Sequence, residues 1–439
     1  MTQVAQAQPA PQHALDDIAE IVRDDGVNRI LATVRGHLGL EIAYVARYVG
    51  DERQLTHVDS DLDLPMGPGH CENKAEGYCW HVLQGNLPEL IKDPKDHPFT
   101  QTMAITDFLP VGAHVNTPLR LSDGTVWGSF CALSRQPDRT ITPRDLSVLK
   151  AFAGLAAERI ESAMETDATH SRLRRTIEQL LAGQQLSIHH QPIHSLSDDA
   201  PAGVECLSRF PDAATKGPDK WFDEAGEVGL GVELEMLAIR CALETMPYVP
   251  SHMYMSVNAS PETILSGALD GALDGYDASR LVLEVTEHQR IDDFAALAKG
   301  LDRVRGKARI AIDDVGAGYA GLRHIVDLKP DLLKLDMSLT RDIHLDAARR
   351  ALTGAMVMFA KEIGCKLVAE GIECDEERAT LRELGVEYGQ GYFYSRPLPV
   401  LVAQQNLMGV GKTLETEPRE AELPEPDVIA LQRIAGRLS

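Results

Sequence analysis

The chain has 439 residues, 44% of them apolar and 25% charged. That is ordinary globular usage, which excludes a fully disordered, collagen-like or disulfide-scaffold protein, and the length is a prior for two to three domains. Lys and Arg number 43 against 66 Asp and Glu, a formal charge of −23, so neither a nucleic-acid polymer nor an anionic membrane surface is expected as a partner.

Residues 1–15 lack a basic segment followed by an apolar core and read as a disordered leader rather than a secretory signal. No run of 18 apolar residues occurs, so no membrane-spanning helix is expected. The seven cysteines (71, 79, 131, 206, 241, 365 and 374) are odd in number and form no CxxC. They suggest neither a disulfide framework nor a zinc knuckle, and a reducing, cytoplasmic location is expected.

Residues 16–35 carry helical apolar spacing at Ile18, Ile21, Val22, Val27, Ile30 and Leu31. Strand-like runs follow at LEIAYVARYVG, HVNTPLRL and VWGSFCALS, the last two separated by Asp123-Gly124, a strong hairpin signal. A long helix is predicted from about Pro143 to Leu181, with an apolar stripe at Leu146, Leu149, Phe152, Ala153, Leu155 and Ala156. The stripe suits packing on the preceding sheet and equally a parallel dimer helix. The Arg172, Arg174 and Arg175 cluster reads as a solvated face. Residues 16–165 are therefore expected to form an α+β unit, with 166–182 as a connecting helix.

From residue 183 to 402 the rhythm changes. Strand candidates LSIHHQPI, AGVECLSRF, MYMSVNAS, LVLEVTEH, RIAIDDVG, LLKLDMS, KLVAEGI and GYFYSRP alternate with helical stretches at 233–246, 292–305, 346–363 and 375–384. This alternation predicts a (β/α)8 barrel of the TIM type rather than a short doubly wound sheet. Residues 403–439 are expected to be an acidic, proline-rich linker ending in one amphipathic helix.

Nearly every strand candidate of this half ends in a polar set: Glu205, Asn258, Glu284 with Glu287, Asp313 with Asp314, Lys334, Glu370 and Gln390. Strand C-termini of a barrel converge on one face. Carboxylates joined there by an amide oxygen make a hard oxygen site suited to Mg²⁺ or Mn²⁺. Four or five carboxylates do not stay ionised together without cations, so two divalent ions are expected, able to clamp phosphoryl oxygens and activate water. Lys334 adds a point charge for the water or the phosphate.

These residues carry a resemblance. Glu205-Cys206-Leu207 with Arg209, Val257-Asn258-Ala259-Ser260, Glu284-Val285-Thr286-Glu287, Asp313-Asp314-Val315-Gly316-Ala317-Gly318-Tyr319, Lys334-Leu335-Asp336, Ala369-Glu370-Gly371-Ile372-Glu373 and Gln390-Gly391-Tyr392 resemble, in order, the motifs of EAL domains. EAL domains are bacterial phosphodiesterase modules that hydrolyse cyclic di-GMP to linear pGpG. The resemblance implies that Glu205, Asn258, Glu284 and Asp313 hold a first metal, and that Asp313 bridges to a second completed by Asp314 and Glu370. It implies that Lys334 orients the attacking water, Glu370 is the general base, and Arg209 pairs with a substrate phosphate. Gln390 would support the site, Gln191 and Leu207 would face the substrate, and Glu287 would anchor the loop after Asp314. It also implies an antiparallel first strand and a homodimer. The loop DDVGAGYAGL departs from the family's DDFGTGYSSL at Val315, Ala317, Ala320 and Gly321. The alternative reading is therefore a catalytically weak domain acting as a cyclic di-GMP receptor or protein-interaction module.

The first half resembles a GAF sensor domain at Tyr78-Cys79-Trp80-His81-Val82-Leu83-Gln84-Gly85-Asn86-Leu87-Pro88, Thr117-Pro118-Leu119-Arg120 and Trp127-Gly128-Ser129-Phe130-Cys131-Ala132-Leu133. Its ligand is an unknown small molecule or none. Cys79 and His81 make a weak ligand pair for a metal or haem and read better as structural residues, as does a Cys71–Cys79 redox pair.

Overall fold

In a computed structural model, residues 25–108, 111–211, 215–285, 293–316 and 322–408 are described, and they divide into two compact units at Thr176/Ile177. The leader, residues 16–24 of the first expected helix, Glu287, Ala317, Ala320, Gly321 and residues 409–439 of the expected tail lie outside the described residues, whereas residues 403–407, expected as linker, belong to a helix Val400–Leu407. Among the described residues no helix is long and apolar enough to cross a membrane.

The first unit is a six-stranded antiparallel sheet backed by helices. Helix α1 (Asp25–Leu38) leads into β1 (Ile42–Val49), β2 (Glu52–Ser60) and β3 (Cys71–Asn73). The short helix α2 (Tyr78–Leu83) and β4 (Leu90–Ile91) come next, followed by β5 (Ala113–Arg120), β6 (Val126–Ser134) and the long helix α3 (Pro143–Gly183). The order across the sheet is β3-β2-β1-β6-β5-β4. Side chains alternate between its faces, as strand geometry requires. Ala43, Val45, Val115, Leu119, Phe130 and Ala132 pack against Val27, Leu31 and Val34 of α1 and Leu149, Ala153 and Ala156 of α3. Ile42, Tyr44, Ala46, Cys131 and Leu133 face the other way, where Cys79 of α2 covers them. The β5–β6 hairpin turns at Gly124, whose φ of +84° suits a residue without a side chain. Of the predicted stripe on α3, Leu155 is exposed instead of buried.

The second unit is a closed barrel with an extra edge strand. Strands β7 (Ser187–Ser195), β8 (Pro201–Arg209), β9 (Tyr254–Ala259), β10 (Leu281–Val285), β11 (Arg309–Val315), β12 (Leu332–Leu335), β13 (Lys366–Ala369) and β14 (Tyr388–Gly389) are neighbours in that order, and β14 closes on β7. Both contacts of β7 within the ring are antiparallel and the rest are parallel. The strand expected at GYFYSRP is a correction. Residues 391–397 form a turn, in which Tyr394 and Ser395 donate their N–H groups to Gly391 and Phe393 donates to Ile372. The eighth strand is the preceding Tyr388-Gly389.

An apolar layer of Ile193, Tyr254, Val282, Ala311, Leu332 and Val368 fills the barrel. The intervening strand residues, such as Leu281, Leu283, Ile310, Ile312 and Leu333, join the cluster shared with the outer helices. This two-residue period fixes what comes next. Two residues beyond Val282, Ala311, Leu332 and Val368 stand Glu284, Asp313, Lys334 and Glu370. The polar set is the next layer of the barrel interior, at the strand C-termini.

Candidate active site

Lys334 is the centre of this layer. It is 1% exposed, and its Nζ lies 2.6 Å from Glu370, 2.8 Å from Glu284, 3.1 Å from Asp313 and 3.5 Å from Glu205. Asn258 donates to Glu205 at 3.2 Å, and Gln390 donates to the same carboxylate at 2.6 Å and to Gln191 at 3.0 Å. Gln191 in turn donates to the Ser395 carbonyl at 3.1 Å. The strands thus bring together Glu205, Asn258, Glu284, Asp313, Lys334, Glu370, Gln390 and Gln191.

Asp314 joins them through a local distortion. The ladder between β11 and β12 shifts register between Ile312 and Val315, and Asp314 sits at φ +54°, in the left-handed region that Asp tolerates better than most residues. Its N–H donates to the Asp313 side chain at 3.0 Å. Carboxylate oxygens of Asp313, Asp314 and Glu370 lie within 4.8 Å of one another. The next turn is held by Gly316, at φ +114°, where a Cβ would meet Leu339.

Four carboxylates share one ammonium, and the protonation of Glu284, Glu370 and Glu205 reflects it. Burial pushes the Glu284 carboxyl up to about 8, because Lys334 reverses only part of the effect while Glu205 and Asp313 add repulsion. Burial likewise holds Glu370 well above the usual carboxylate range despite its contact with Lys334. At Glu205 burial is outweighed by Lys334 and by the bonds from Gln390 and Asn258, and its carboxyl lies below the usual value. Burial alone would lower Lys334, but its four acidic neighbours raise it well above an ordinary lysine.

Beside this layer opens a cavity of about 540 Å³, lined among others by Gln191, Glu205, Leu207, Arg209, Asn258 and Asp313. Arg209 is half-buried, and burial lowers its guanidinium from the ordinary value. Phe222, Asp219 and Tyr392 also line the cavity, and Arg396 lies over the Tyr392 ring at 4.1 Å. Sequence reasoning missed Phe222 and Asp219 because their helix, Pro218–Glu227, was not among the predicted elements. Tyr392 lay in a quoted motif, and its exposure of 52% was the missing signal.

The match to family models follows this geometry. The EAL domain model covers residues 174–397 and the GAF domain model residues 23–160. The chain belongs to the EAL-domain family. Among curated relatives of this EAL protein, PdeB of Escherichia coli (strain K12), named a probable cyclic di-GMP phosphodiesterase, is 30% identical over 75% of this chain and 63% of PdeB. NbdA of Pseudomonas aeruginosa, named a cyclic di-GMP phosphodiesterase, is 30% identical over 54% of this chain and 32% of NbdA. The EAL chain therefore spans less than two thirds of either. The solved structure of the EAL enzyme Bd1971 in its cGMP-bound form shares the fold, with a TM-score of 0.52 at 19% identity over 84% of this chain and 93% of that one.

In the GAF unit the Cys79–His81 pair separates. His81 packs its ring on Phe99 and meets the Ala75 carbonyl at 2.8 Å, whereas Cys79 points into the core. Cys71 and Cys79 are both free thiols.

Proposed function

We propose that the chain hydrolyses cyclic di-GMP to linear pGpG at the C-terminal face of its barrel. The observation that carries this reading is the layer of four carboxylates around one buried lysine, with Asp314 beside two of them, opening on a cavity of small-ligand size with Arg209 in its wall. The donor set is all oxygen, with no sulfur or imidazole, and three of its carboxylates converge within bonding reach of one ion. It fits Mg²⁺ or Mn²⁺. Glu205, Asn258, Glu284 and Asp313 would hold one ion, with Asp313, Asp314 and Glu370 holding the second. Bound there, such ions supply charge that stabilises the phosphoryl oxygens and acidifies a water.

The side chains supply the rest. Arg209 pairs with a substrate phosphate, and Leu207 and Gln191 hold the nucleotide against the cavity wall. Lys334 donates to the water and fixes its approach to phosphorus. Glu370 takes the water's proton as the phosphorus–O3′ bond breaks, and O3′ takes up a proton from solvent to leave as the 3′ hydroxyl. One phosphate then remains esterified at the 5′ end of a linear dinucleotide. Gln390 keeps Glu205 oriented through its 2.6 Å bond. The GAF unit acts as the sensor of this output, and the assembly is a homodimer in the cytoplasm.

The direct test incubates the full chain with cyclic di-GMP and Mn²⁺ and separates nucleotides by chromatography. Linear pGpG is expected, with its formation abolished in Glu205→Ala and Glu370→Ala. Tight cyclic di-GMP binding without product at high protein concentration would replace this reading with the receptor role.

A further inference from the structure

A second cluster of ligand-type side chains lies in the first unit, remote in sequence from the barrel residues. Cys79 of α2, His114 of β5 and Cys131 of β6 are each essentially inaccessible, and one ligand atom from each falls within 4.8 Å of the others. The sheet register explains why they meet. Cys131 stands opposite Tyr44 on β1 and opposite Asn116 on β5, and His114 lies two residues from Asn116 on the same face. Helix α2 then drops Cys79 onto that face. The Sγ atoms of Cys79 and Cys131 are 3.0 Å apart, and His114 Nε2 is 3.9 Å from Cys79 Sγ.

From this geometry we infer a binding site for a thiophilic divalent cation, zinc by class, held by Cys79, Cys131 and His114. Two thiolates and an imidazole are the donors that such an ion prefers. With Zn–S bonds of about 2.3 Å, tetrahedral geometry sets the sulfurs about 3.8 Å apart, so the pair must open by less than an ångström. His114 is the independent pointer to a ligand. Its Nδ1 has no hydrogen-bond partner among the described residues, and its other nitrogen faces only the Cys79 sulfur. Nε2, whose one hydrogen-bond contact among the described residues is a thiol sulfur 3.9 Å away, is the nitrogen placed to give its lone pair to a cation between the two sulfurs.

The surroundings are those of a metal site. Tyr44 OH lies 3.0 Å from Cys79 Sγ, Arg53 Nη1 donates to the same sulfur at 3.2 Å, and Cys131 Sγ is 3.2 Å from Asn116 Oδ1. The Tyr44 and Arg53 contacts favour the thiolate form of Cys79, whereas Cys131 donates its S–H to Asn116 and gives up that proton when an ion binds. Arg53 is itself paired with Glu72. Two thiolates, one divalent cation and the Arg53–Glu72 pair sum to zero, which is what a buried site requires. Tyr44, Arg53 and His114 also line a cavity with Tyr78, which leaves room for a fourth, non-protein ligand.

The test uses reduced full-length protein titrated with Co²⁺ and then with Zn²⁺. One equivalent of Co²⁺ should produce a sulfur-to-cobalt charge-transfer band in the near ultraviolet, which zinc then bleaches. The oxygen-only barrel site cannot produce that band, so Asp314→Asn should retain it, while Cys131→Ala should lose it. X-ray absorption of the zinc-loaded wild type, which needs no variant to fold, should show sulfur neighbours at about 2.3 Å. Absence of the band in the reduced wild type, or zinc with only oxygen and nitrogen neighbours, overturns the site. So does quantitative formation of a Cys79–Cys131 disulfide in protein that takes up no metal. None of these outcomes depends on phosphodiesterase activity.

Discussion

Replacing Lys334 with Met removes the one ammonium that four carboxylates contact between 2.6 and 3.5 Å. At an effective dielectric of about 20, a unit-charge pair about 3 Å apart is worth roughly 5 kcal/mol gross. Removing one partner of a buried ionic group costs about 3–5 kcal/mol net, because the remaining charge stays buried and uncompensated. At roughly 2–4 °C per kcal/mol for a unit of this size, the barrel's thermal transition in chelator should fall by about 6–20 °C. The pH dependence carries the sign. Glu284 already titrates at about 8 when folded, and losing Lys334 raises it and its neighbours further. The folded variant then binds more protons than the unfolded chain above the ordinary carboxylate value, so its stability declines as pH rises. The gap between variant and wild type should be widest at pH 8, narrow by pH 5, and narrow again when Mn²⁺ supplies the missing charge. Scanning calorimetry of both proteins at the two pH values, with and without Mn²⁺, measures it. Equal transition temperatures in chelator at pH 8 would refute the reading of Lys334 as the counter-charge of this layer.

Two further outcomes are expected. Gly391→Ala places a Cβ 2.1 Å from the Ile372 carbonyl oxygen and 2.3 Å from its nitrogen, both backbone atoms that cannot swing away; a loss of about 1–3 kcal/mol follows, with activity falling as the adjacent Gln390 shifts, and an unchanged urea midpoint contradicts it. His190 is pushed down to about 4 by burial and then by His189, so the unfolded chain takes up a proton that the folded one refuses as pH falls from about 6.5 to 4. Roughly 3 kcal/mol of stability should disappear across that window. His190→Gln should flatten the dependence, and denaturant midpoints at pH 4.5 and 7 that move as in the wild type would count against it.

The barrel was legible in the sequence because its strands are short apolar runs punctuated by helices, and because the ligand-type residues sit at their ends. Glu284, Asp313, Lys334 and Glu370 are placed by a two-residue period that any reader of the strands can count. The eighth strand was misread for a physical reason. GYFYSRP is rich in aromatic residues, a strand preference, but Gly391 at φ +159° packs against the Ile372 backbone and sends the chain into a turn. The left-handed Asp314 and the shift between Ile312 and Val315 carry no local mark beyond the paired Asp residues. In the GAF unit the pair read at Cys79 and His81 followed sequence proximity. The sheet register instead joins Cys79 to Cys131, 52 residues away, and no local pattern encodes that contact.

The reversed first strand explains why Gln191 and Gln390 meet at one side of the site. Because β7 runs against β8, Gln191 stands in register with Glu205, and the part of β7 facing the strand C-termini is its first half. Ile188 and Gln191 therefore reach the cavity, next to Pro397 and Tyr392 from the segment after β14. Gln390 spans the closure by donating to both Gln191 and Glu205. The acids lie along the parallel strands with Asn258 among them, while Gln191, Gln390 and Tyr392 lie at the seam. That division also answers the net charge of −23. Under the proposed function an anionic substrate meets Arg209 in the cavity wall and whatever cations the carboxylates hold, and the charge elsewhere on the surface acts chiefly against long polyanions.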